Sequence, residues 1–237
     1  VARNGWIVVS INYRLCPNVR AYPEQLMDCK LALKWIRENI HLYGGDPSFV
    51  VCSGESAGGH LSTLLAVTAN DPVYQPNFEQ IDTSVKGCVN LYGVMDFTDT
   101  NDIYKTKAGN GGNVDISKFL QKLVMKRNRE TELESFKKAS PYWRIQENDC
   151  IPRIMVVHGT VDTLVPYEDG RIFYKQLTKK RVEELKQTKK LEGIAEVTID
   201  ESHNPVDIFV KLPSTHHAFN FVVSPRTLAL GDAVVDF

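Results

Sequence analysis

Short apolar segments alternate along the chain with longer segments that are apolar on one side only. Five segments rich in β-branched residues are too short to be independent helices and are bounded by turn residues, which predicts strands. These predicted strands are Trp6–Asn12, Phe49–Ser53, Val85–Tyr92, Ile154–His158 and Val206–Lys211. Because most of the segments between them have a helical period, we predict a mostly parallel α/β sheet with helices on both faces.

Three of the intervening segments have the helical period most clearly. The segment from Glu24 to Tyr43 has an apolar stripe and is followed by the stop signal Gly44-Gly45-Asp46-Pro47. The segment from Ala57 to Ala69 starts with small residues, and the segment from Tyr167 to Leu185 repeats the apolar stripe. Together the elements predict one α/β domain over residues 1–237.

Residues 96–141 depart from this alternation. A loop-like Gly109-Asn110-Gly111-Gly112-Asn113 is followed by a charged segment of helical period from Ile116 to Lys138. Long insertions that follow a strand of an α/β fold often cover a functional site. We therefore predict that residues 96–141 form a short cap within the domain.

The charge balance excludes several classes of partner. The 237 residues include 28 basic and 29 acidic side chains, which gives no broad attraction for nucleic acid or for an anionic membrane. No apolar run approaches the roughly 18 residues that a membrane-spanning helix needs. The five cysteines are widely spaced and include no Cys-x-x-Cys, so we expect buried thiols rather than a disulfide framework. We expect no nucleic-acid partner and no membrane span within this chain.

The sequence Gly54-Glu55-Ser56-Ala57-Gly58-Gly59 lies between a predicted strand and a predicted helix of small residues. This is the context of a Gly-x-Ser-x-Gly nucleophile elbow, in which the glycines leave room for close packing around a strained serine. The turn presents the serine hydroxyl at a helix N-terminus, where the Ala57 amide can stabilise negative charge. We predict that Ser56 is a nucleophile and that Ala57 is an oxyanion donor.

A serine is a weak nucleophile unless a base accepts its proton. His217 follows the last predicted strand on a loop, from which it can approach Ser56 without disrupting the sheet; its neighbour His216 is the alternative. His158 and His60 are interpreted as structural residues. The histidine pair also suggests zinc, but no third ligand has suitable spacing, so we expect no metal.

The histidine in turn needs a carboxylate that holds its tautomer. Asp162 follows the fourth predicted strand, and Asp96, at the end of the third, is the alternative. We favour Asp162, partly because the chain order Ser56, Asp162, His217 is that of α/β-hydrolases.

With these residues the sequence resembles the hormone-sensitive-lipase-like esterases and lipases of the α/β-hydrolase group. The resemblance covers most of the chain. It rests on the elbow, Ser10-Ile11-Asn12-Tyr13-Arg14-Leu15, Tyr22-Pro23, Tyr43-Gly44-Gly45-Asp46-Pro47, His158-Gly159 with Asp162, Val165-Pro166 and His217-Ala218-Phe219. It implies hydrolysis of a small-molecule acyl ester through an acyl-enzyme, without a cofactor. Ser56 would attack the ester, His217 would act as general base and then acid, and Asp162 would be its partner.

In this family, selectivity for the acyl group lies in the cap. Phe119, Leu120, Leu123 and Val124 are candidates to line an acyl pocket. The alternative, that they pack the insertion onto the body of the domain, stays open.

The sequence departs from the family in two respects. The family has a His-Gly-Gly-Gly loop, which supplies most of the oxyanion hole, and three strands that do not occur in these 237 residues. The resemblance therefore implies an N-terminally incomplete chain. Two other functions stay open: an amide hydrolase of the arylformamidase type, and a binding protein without activity on the same fold, as gibberellin receptors are.

Overall fold

The computed structural model describes residues 2–18, 21–104, 115–148, 150–187, 206–221 and 224–237. Its centre is a parallel sheet of four strands. They are β1 (Val51–Glu55), β2 (Gly87–Leu91), β3 (Arg153–Gly159) and β4 (Ile208–Leu212). The strands lie side by side in the order of the chain, with Cys52 opposite Cys88 and Val156 opposite Phe209. The predicted parallel α/β architecture is confirmed.

Seven α-helices accompany the sheet in the described part of the chain. They are α1 (Glu24–Asn39), α2 (Ala57–Val67), α3 (Ile116–Phe119), α4 (Leu133–Lys138), α5 (Pro141–Arg144), α6 (Tyr167–Gln187) and α7 (Pro225–Asp236). A π-helical segment, Leu120–Met125, continues α3. Short 3₁₀ turns are Ala2–Asn4, Ile40–Tyr43, Pro72–Tyr74 and Phe219–Phe221. Within the described ranges, none of the helices combines the length and the apolar character that crossing a membrane requires.

Helices cover both faces of the sheet. Since successive side chains of a strand point to opposite faces, each strand contributes to the packing on both sides. On one face Ile154 and Val156 belong to the larger hydrophobic core, to which α1, α2 and α6 also contribute. On the other face Val89, Met155 and Val157 pack with side chains of α7. The sequence patterns did not predict α7, which begins with a capping box at Ser224.

The prediction of a strand at Trp6–Asn12 is wrong. No backbone hydrogen bond joins residues 6–12 to another described residue, and Ile7, Val8, Val9 and Ile11 are exposed. The Trp6 ring still contacts the Phe49 ring, at a centroid distance of 5.7 Å. A β-branched segment becomes a strand only where a neighbouring strand supplies partners for its backbone, and no described strand pairs with this segment.

Two of the predicted helical segments are interrupted. The segment from Glu24 to Tyr43 is α1 up to Asn39 and a 3₁₀ turn thereafter, and Gly44 ends it with a left-handed φ of 81°. A continuous helix from Ile116 to Lys138 is wrong, because Lys126 adopts a left-handed φ of 51° and ends the π-helical segment. The predicted loop Gly109–Asn113 lies outside the described residues.

Candidate active site

Ser56 occupies the sharp turn between β1 and α2. Its φ of 50° and ψ of −115° are unusual for a residue with a side chain, and such backbone persists only where the surroundings hold it. The Ser56 amide donates to the Leu91 carbonyl at 2.9 Å, and the Ser56 carbonyl accepts from the His60 amide at 3.0 Å. The predicted elbow is therefore present, held by β2 on one side and by α2 on the other.

The close packing of the elbow depends on Gly54. A Cβ atom at this position would lie 2.3 Å from the backbone carbonyl of Gly58, a distance that no real contact reaches. A Cβ atom at Gly58 would have no neighbour within 4 Å. The expectation that both glycines leave room for packing is therefore right for Gly54 and wrong for Gly58. Gly54 needs to lack a side chain because the main chain of Gly58 lies against it.

His217 lies within hydrogen-bond distance of Ser56. The His217 Nε2 atom is 2.9 Å from Ser56 Oγ. The loop that carries His217 follows β4 and bends at Ala218, which has a φ of 55°. The imidazole packs against the Tyr92 ring, edge to face, with a centroid distance of 4.6 Å.

Asp162 holds the other side of the imidazole. Its Oδ2 atom lies 2.7 Å from His217 Nδ1, and its Oδ1 atom accepts the backbone N–H groups of Leu164 and Val165, each at 2.9 Å. The carboxylate has no solvent-exposed surface. Although burial raises its pKa, hydrogen bonds from His158 and His217 outweigh that effect and lower the pKa of Asp162 to about 2. Asp162 is therefore ionised at neutral pH and can only accept a hydrogen bond, so the Nδ1 atom of the neutral His217 ring carries the proton. The Nε2 atom, which faces Ser56, is then free to accept one.

The alternative candidates lie elsewhere. His216 is exposed beside His217. Asp96 is buried and caps its own loop, accepting hydrogen bonds from the Thr98 and Thr100 amides at 2.9 Å each. Asp162, and not Asp96, is therefore the carboxylate that contacts the histidine.

The two histidines interpreted as structural are both buried. His60 stacks on Phe97 and lies 2.7 Å from the Ala139 carbonyl, and burial lowers its pKa to about 4. His158 Nε2 lies 3.0 Å from the Val165 carbonyl and 3.4 Å from Asp162 Oδ2, so it supports the loop that presents Asp162. Among the residues that the structure describes, no group of three His, Cys, Asp or Glu side chains could hold a metal ion.

A cavity of about 410 Å³ opens beside Ser56 and Ala57. Apolar side chains of the body and of the insertion form much of its wall. They include Leu61, Val94, Phe97, Ile116, Phe119, Leu120 and Val124. Of the four candidate pocket residues, Phe119, Leu120 and Val124 line the cavity, whereas Leu123 does not. The cavity can therefore hold an apolar group next to the serine hydroxyl.

The Ala57 amide lies at the start of α2, directly after Ser56. The first N–H groups of a helix have no acceptor within the helix, and the helix dipole places partial positive charge there. This amide is therefore available to an oxygen that develops negative charge close to Ser56.

Three residues that no sequence pattern indicated surround this arrangement. Glu55, Tyr92 and Asn220 form a hydrogen-bonded group beside His217. The only signal for them in the sequence is proximity, since Glu55 precedes Ser56 and Asn220 follows His217 by three positions.

The parallel sheet, the strand–serine–helix turn and the Ser56–His217–Asp162 contacts define the class of protein, an α/β-hydrolase. The chain belongs to the BD-FAE family, whose profile matches residues 1–177.

The relatives of the chain bear the names of esterases. It is 37% identical over 237 residues to the probable carboxylic ester hydrolase LipM of Mycobacterium tuberculosis, covering 100% of this chain and 47% of LipM. It is 35% identical over 233 residues to the esterase LipQ of the same organism, covering 98% of this chain and 47% of LipQ. The chain thus spans about half the length of these relatives.

Solved structures show the same fold. A truncated carbohydrate esterase from gut microbiota aligns with a TM-score of 0.68 at 19% identity, covering 96% of this chain and 72% of that one. Carboxyl esterase 2 of Tuber melanosporum aligns with a TM-score of 0.67 at 22% identity, covering 94% of this chain and 64% of that one.

Proposed function

We propose that this chain carries the catalytic residues of a carboxylic ester hydrolase that acts through an acyl-enzyme. The observation that carries the proposal is the hydrogen-bonded series from Ser56 Oγ through His217 to Asp162. The names of the two mycobacterial relatives favour esters over amides as substrates.

The geometry supports a two-step mechanism. His217 Nε2 accepts the Ser56 proton as Oγ attacks the ester carbonyl carbon, and the buried Asp162 carboxylate stabilises the imidazolium that forms. The tetrahedral intermediate then collapses, and His217 returns the proton to the departing alcohol. In the second step His217 Nε2 takes a proton from water as the water oxygen attacks the acyl carbon. The bond from that carbon to Ser56 Oγ then breaks, His217 returns the proton to Oγ, and the carboxylic acid leaves.

The Ala57 amide is proposed as a donor to the carbonyl oxygen when that oxygen becomes an oxyanion. It belongs to a rigid turn at a helix N-terminus, so it needs no rearrangement at the moment of reaction. A single donor of this kind accounts for about 10²- to 10³-fold of turnover in enzymes of this type.

We further propose that residues 96–141 act as a cap within one α/β-hydrolase domain. Ile116 and Phe119 of α3, together with Leu120 and Val124 of the π-helical segment, face the cavity beside Ser56. Their apolar side chains suit the acyl part of the ester, so we expect acyl chains longer than acetyl to bind.

Hydrolysis of p-nitrophenyl butyrate by the purified chain tests the proposal. Ser56→Ala should lower turnover by about 10⁶-fold if the three residues act as a unit. Ser62→Ala is the matched control, because Ser62 lies on α2 and its hydroxyl donates to the Gly59 carbonyl, not to the site. Equal turnover of Ser56→Ala and of the unaltered chain would contradict the proposal. A chain that hydrolyses an aryl formamide but not the ester would instead identify an amide hydrolase.

A further inference from the structure

Glu55 contacts both segments that hold His217. One carboxylate oxygen, Oε1, accepts a hydrogen bond from the Asn220 amide group. The other, Oε2, lies 3.2 Å from the Tyr92 hydroxyl, whose single proton is shared between this oxygen and the Asn220 side-chain oxygen as alternative acceptors. The residue before the serine is thereby joined to the end of β2 and to the loop after β4.

Tyr92 transmits this contact to the imidazole. Its side chain is almost fully buried, and its ring meets the His217 and Phe219 rings edge-on, at centroid distances of 4.6 and 5.5 Å. Movement of Tyr92 would therefore leave a gap beside His217. Glu55, directly and through Asn220, restrains the tyrosine at its far end, the hydroxyl.

The backbone around this group is strained at three points. Ser56, Tyr92 and Ala218 have φ values of 50°, 44° and 55°, in the left-handed region that residues with side chains rarely adopt. Tyr92 belongs to the hydrogen-bonded group, Ser56 follows Glu55, and Ala218 follows His217. Such strain persists only where the surrounding contacts over-determine it, and strained residues of this kind gather at functional sites.

From these contacts we infer that Glu55 is a positioning residue for His217. Through Asn220 and Tyr92 it holds the histidine loop against the elbow, so that Nε2 stays within reach of Ser56 Oγ. This inference rests on the proposed function, because it assigns Glu55 to the reaction that Ser56 and His217 perform. Glu55 does not itself touch the reacting atoms.

The test compares variants by the rate at which a fluorophosphonate labels Ser56 and by kcat and KM for p-nitrophenyl butyrate. Glu55→Ala and Asn220→Ala should each lower kcat and the labelling rate by about 10- to 100-fold, because small displacements of a catalytic group are costly. KM should change by less than about 3-fold, since neither residue lines the cavity.

Two further variants separate positioning from folding. The double variant Glu55→Ala/Asn220→Ala should lose little more activity than either single variant, because each single variant already removes the same connection between the elbow and the histidine loop. Glu55→Gln should retain activity within about 3-fold. Its amide oxygen can accept from Asn220 while its N–H donates to the Tyr92 oxygen.

Thr83→Val is the control for stability alone, since it breaks buried hydrogen bonds to Lys30 and Gln75. No described hydrogen bond of these three residues reaches Glu55, Tyr92 or Asn220. It should lower the melting temperature without lowering kcat.

Folded Glu55→Ala and Asn220→Ala variants with unchanged labelling would overturn the inference. So would loss of kcat in Thr83→Val equal to that in Glu55→Ala at the same loss of stability. If Glu55→Ala does not fold, Asn220→Ala and Glu55→Gln decide the question. An unaltered chain that is never labelled refutes the proposed function itself, which is a different result.

Discussion

His217 and Ser56 are 161 positions apart in the sequence, yet 2.9 Å separates Nε2 of one from Oγ of the other. Ser56 follows β1 and the histidine loop follows β4, the two outer strands of the described sheet. The loop must therefore cross the carboxyl ends of β3 and β2, a distance on the order of 14 Å at the usual strand spacing.

The contacts of the loop show the crossing. The Val161 amide donates to the Thr215 carbonyl at 3.2 Å, and the Ser214 amide donates to the Thr160 hydroxyl at 2.9 Å, both beyond the end of β3. The Tyr92 ring then meets His217 beyond the end of β2. The position of the imidazole is thus set by four strands at once, which is how a parallel sheet assembles distant residues at one edge.

The Asp162 carboxylate should make stability depend on pH in the acid range. Its folded-state pKa of about 2 lies below the usual Asp value, so ionised Asp162 stabilises the fold above about pH 4. That contribution, roughly 2 kcal/mol, should disappear as the pH falls from about 4 to about 2. Urea unfolding of the chain and of Asp162→Asn should give free energies whose difference shrinks across this range. A constant difference would contradict the prediction.

The buried His60 should also make the protein less stable as the pH is lowered, and this loss should begin at a higher pH than the loss due to Asp162. Burial lowers its pKa to about 4, whereas in the unfolded chain a histidine titrates near 6.5, so the unfolded state takes up the proton first. The free energy of unfolding should be about 2 kcal/mol lower at about pH 5 than at about pH 8 because of this residue. His60→Gln keeps a donor for the Ala139 carbonyl but cannot titrate, so its stability should lack this component. The prediction fails if both proteins lose stability in parallel.

Gly54 and Gly58 should respond oppositely to an added methyl group. Gly54→Ala places Cβ 2.3 Å from the Gly58 carbonyl, where the obstacle is backbone, so we expect a loss of about 3 kcal/mol in the free energy of unfolding. Gly58→Ala meets nothing within 4 Å and lies in α2, so a gain of about 0.5 kcal/mol is expected. Thermal unfolding of the two variants checks this, and equal melting temperatures would be the contrary result.

Val124 and Leu123 provide a matched pair for the proposed acyl pocket. Val124 lines the cavity, whereas its neighbour Leu123 does not. Val124→Trp should fill part of the 410 Å³ and reduce kcat/KM for p-nitrophenyl hexanoate by about 10-fold or more relative to the acetate. Leu123→Trp should leave the ratio of the two esters unchanged. The same ratio in both variants would show that the cavity does not hold the acyl chain.

The sequence predicted the elbow well because six consecutive residues determine it. A glycine that must approach backbone, a strained serine and a helix start all lie within residues 54–59. Asp162 and His217 could be predicted as well, since each follows a recognisable strand and such ends share one edge of the sheet. Their catalytic roles stay predictions.

The remaining features depend on contacts that no local pattern contains. Trp6–Asn12 has the composition of a strand, but strand formation depends on a partner and not on composition alone. The Glu55–Tyr92–Asn220 group joins three distant segments, so only the folded chain brings it together. Lys126 takes a left-handed φ within a segment of helical period, and nothing in its neighbours predicts that break.

The measurement that tests the account most directly is covalent labelling of the chain by a fluorophosphonate, with peptide mapping by mass spectrometry. We predict one adduct per chain, located on Ser56, absent from Ser56→Ala and formed far more slowly by His217→Ala. Labelling of another residue, or no labelling of the folded chain, would contradict the claim that Ser56 is a nucleophile activated by His217.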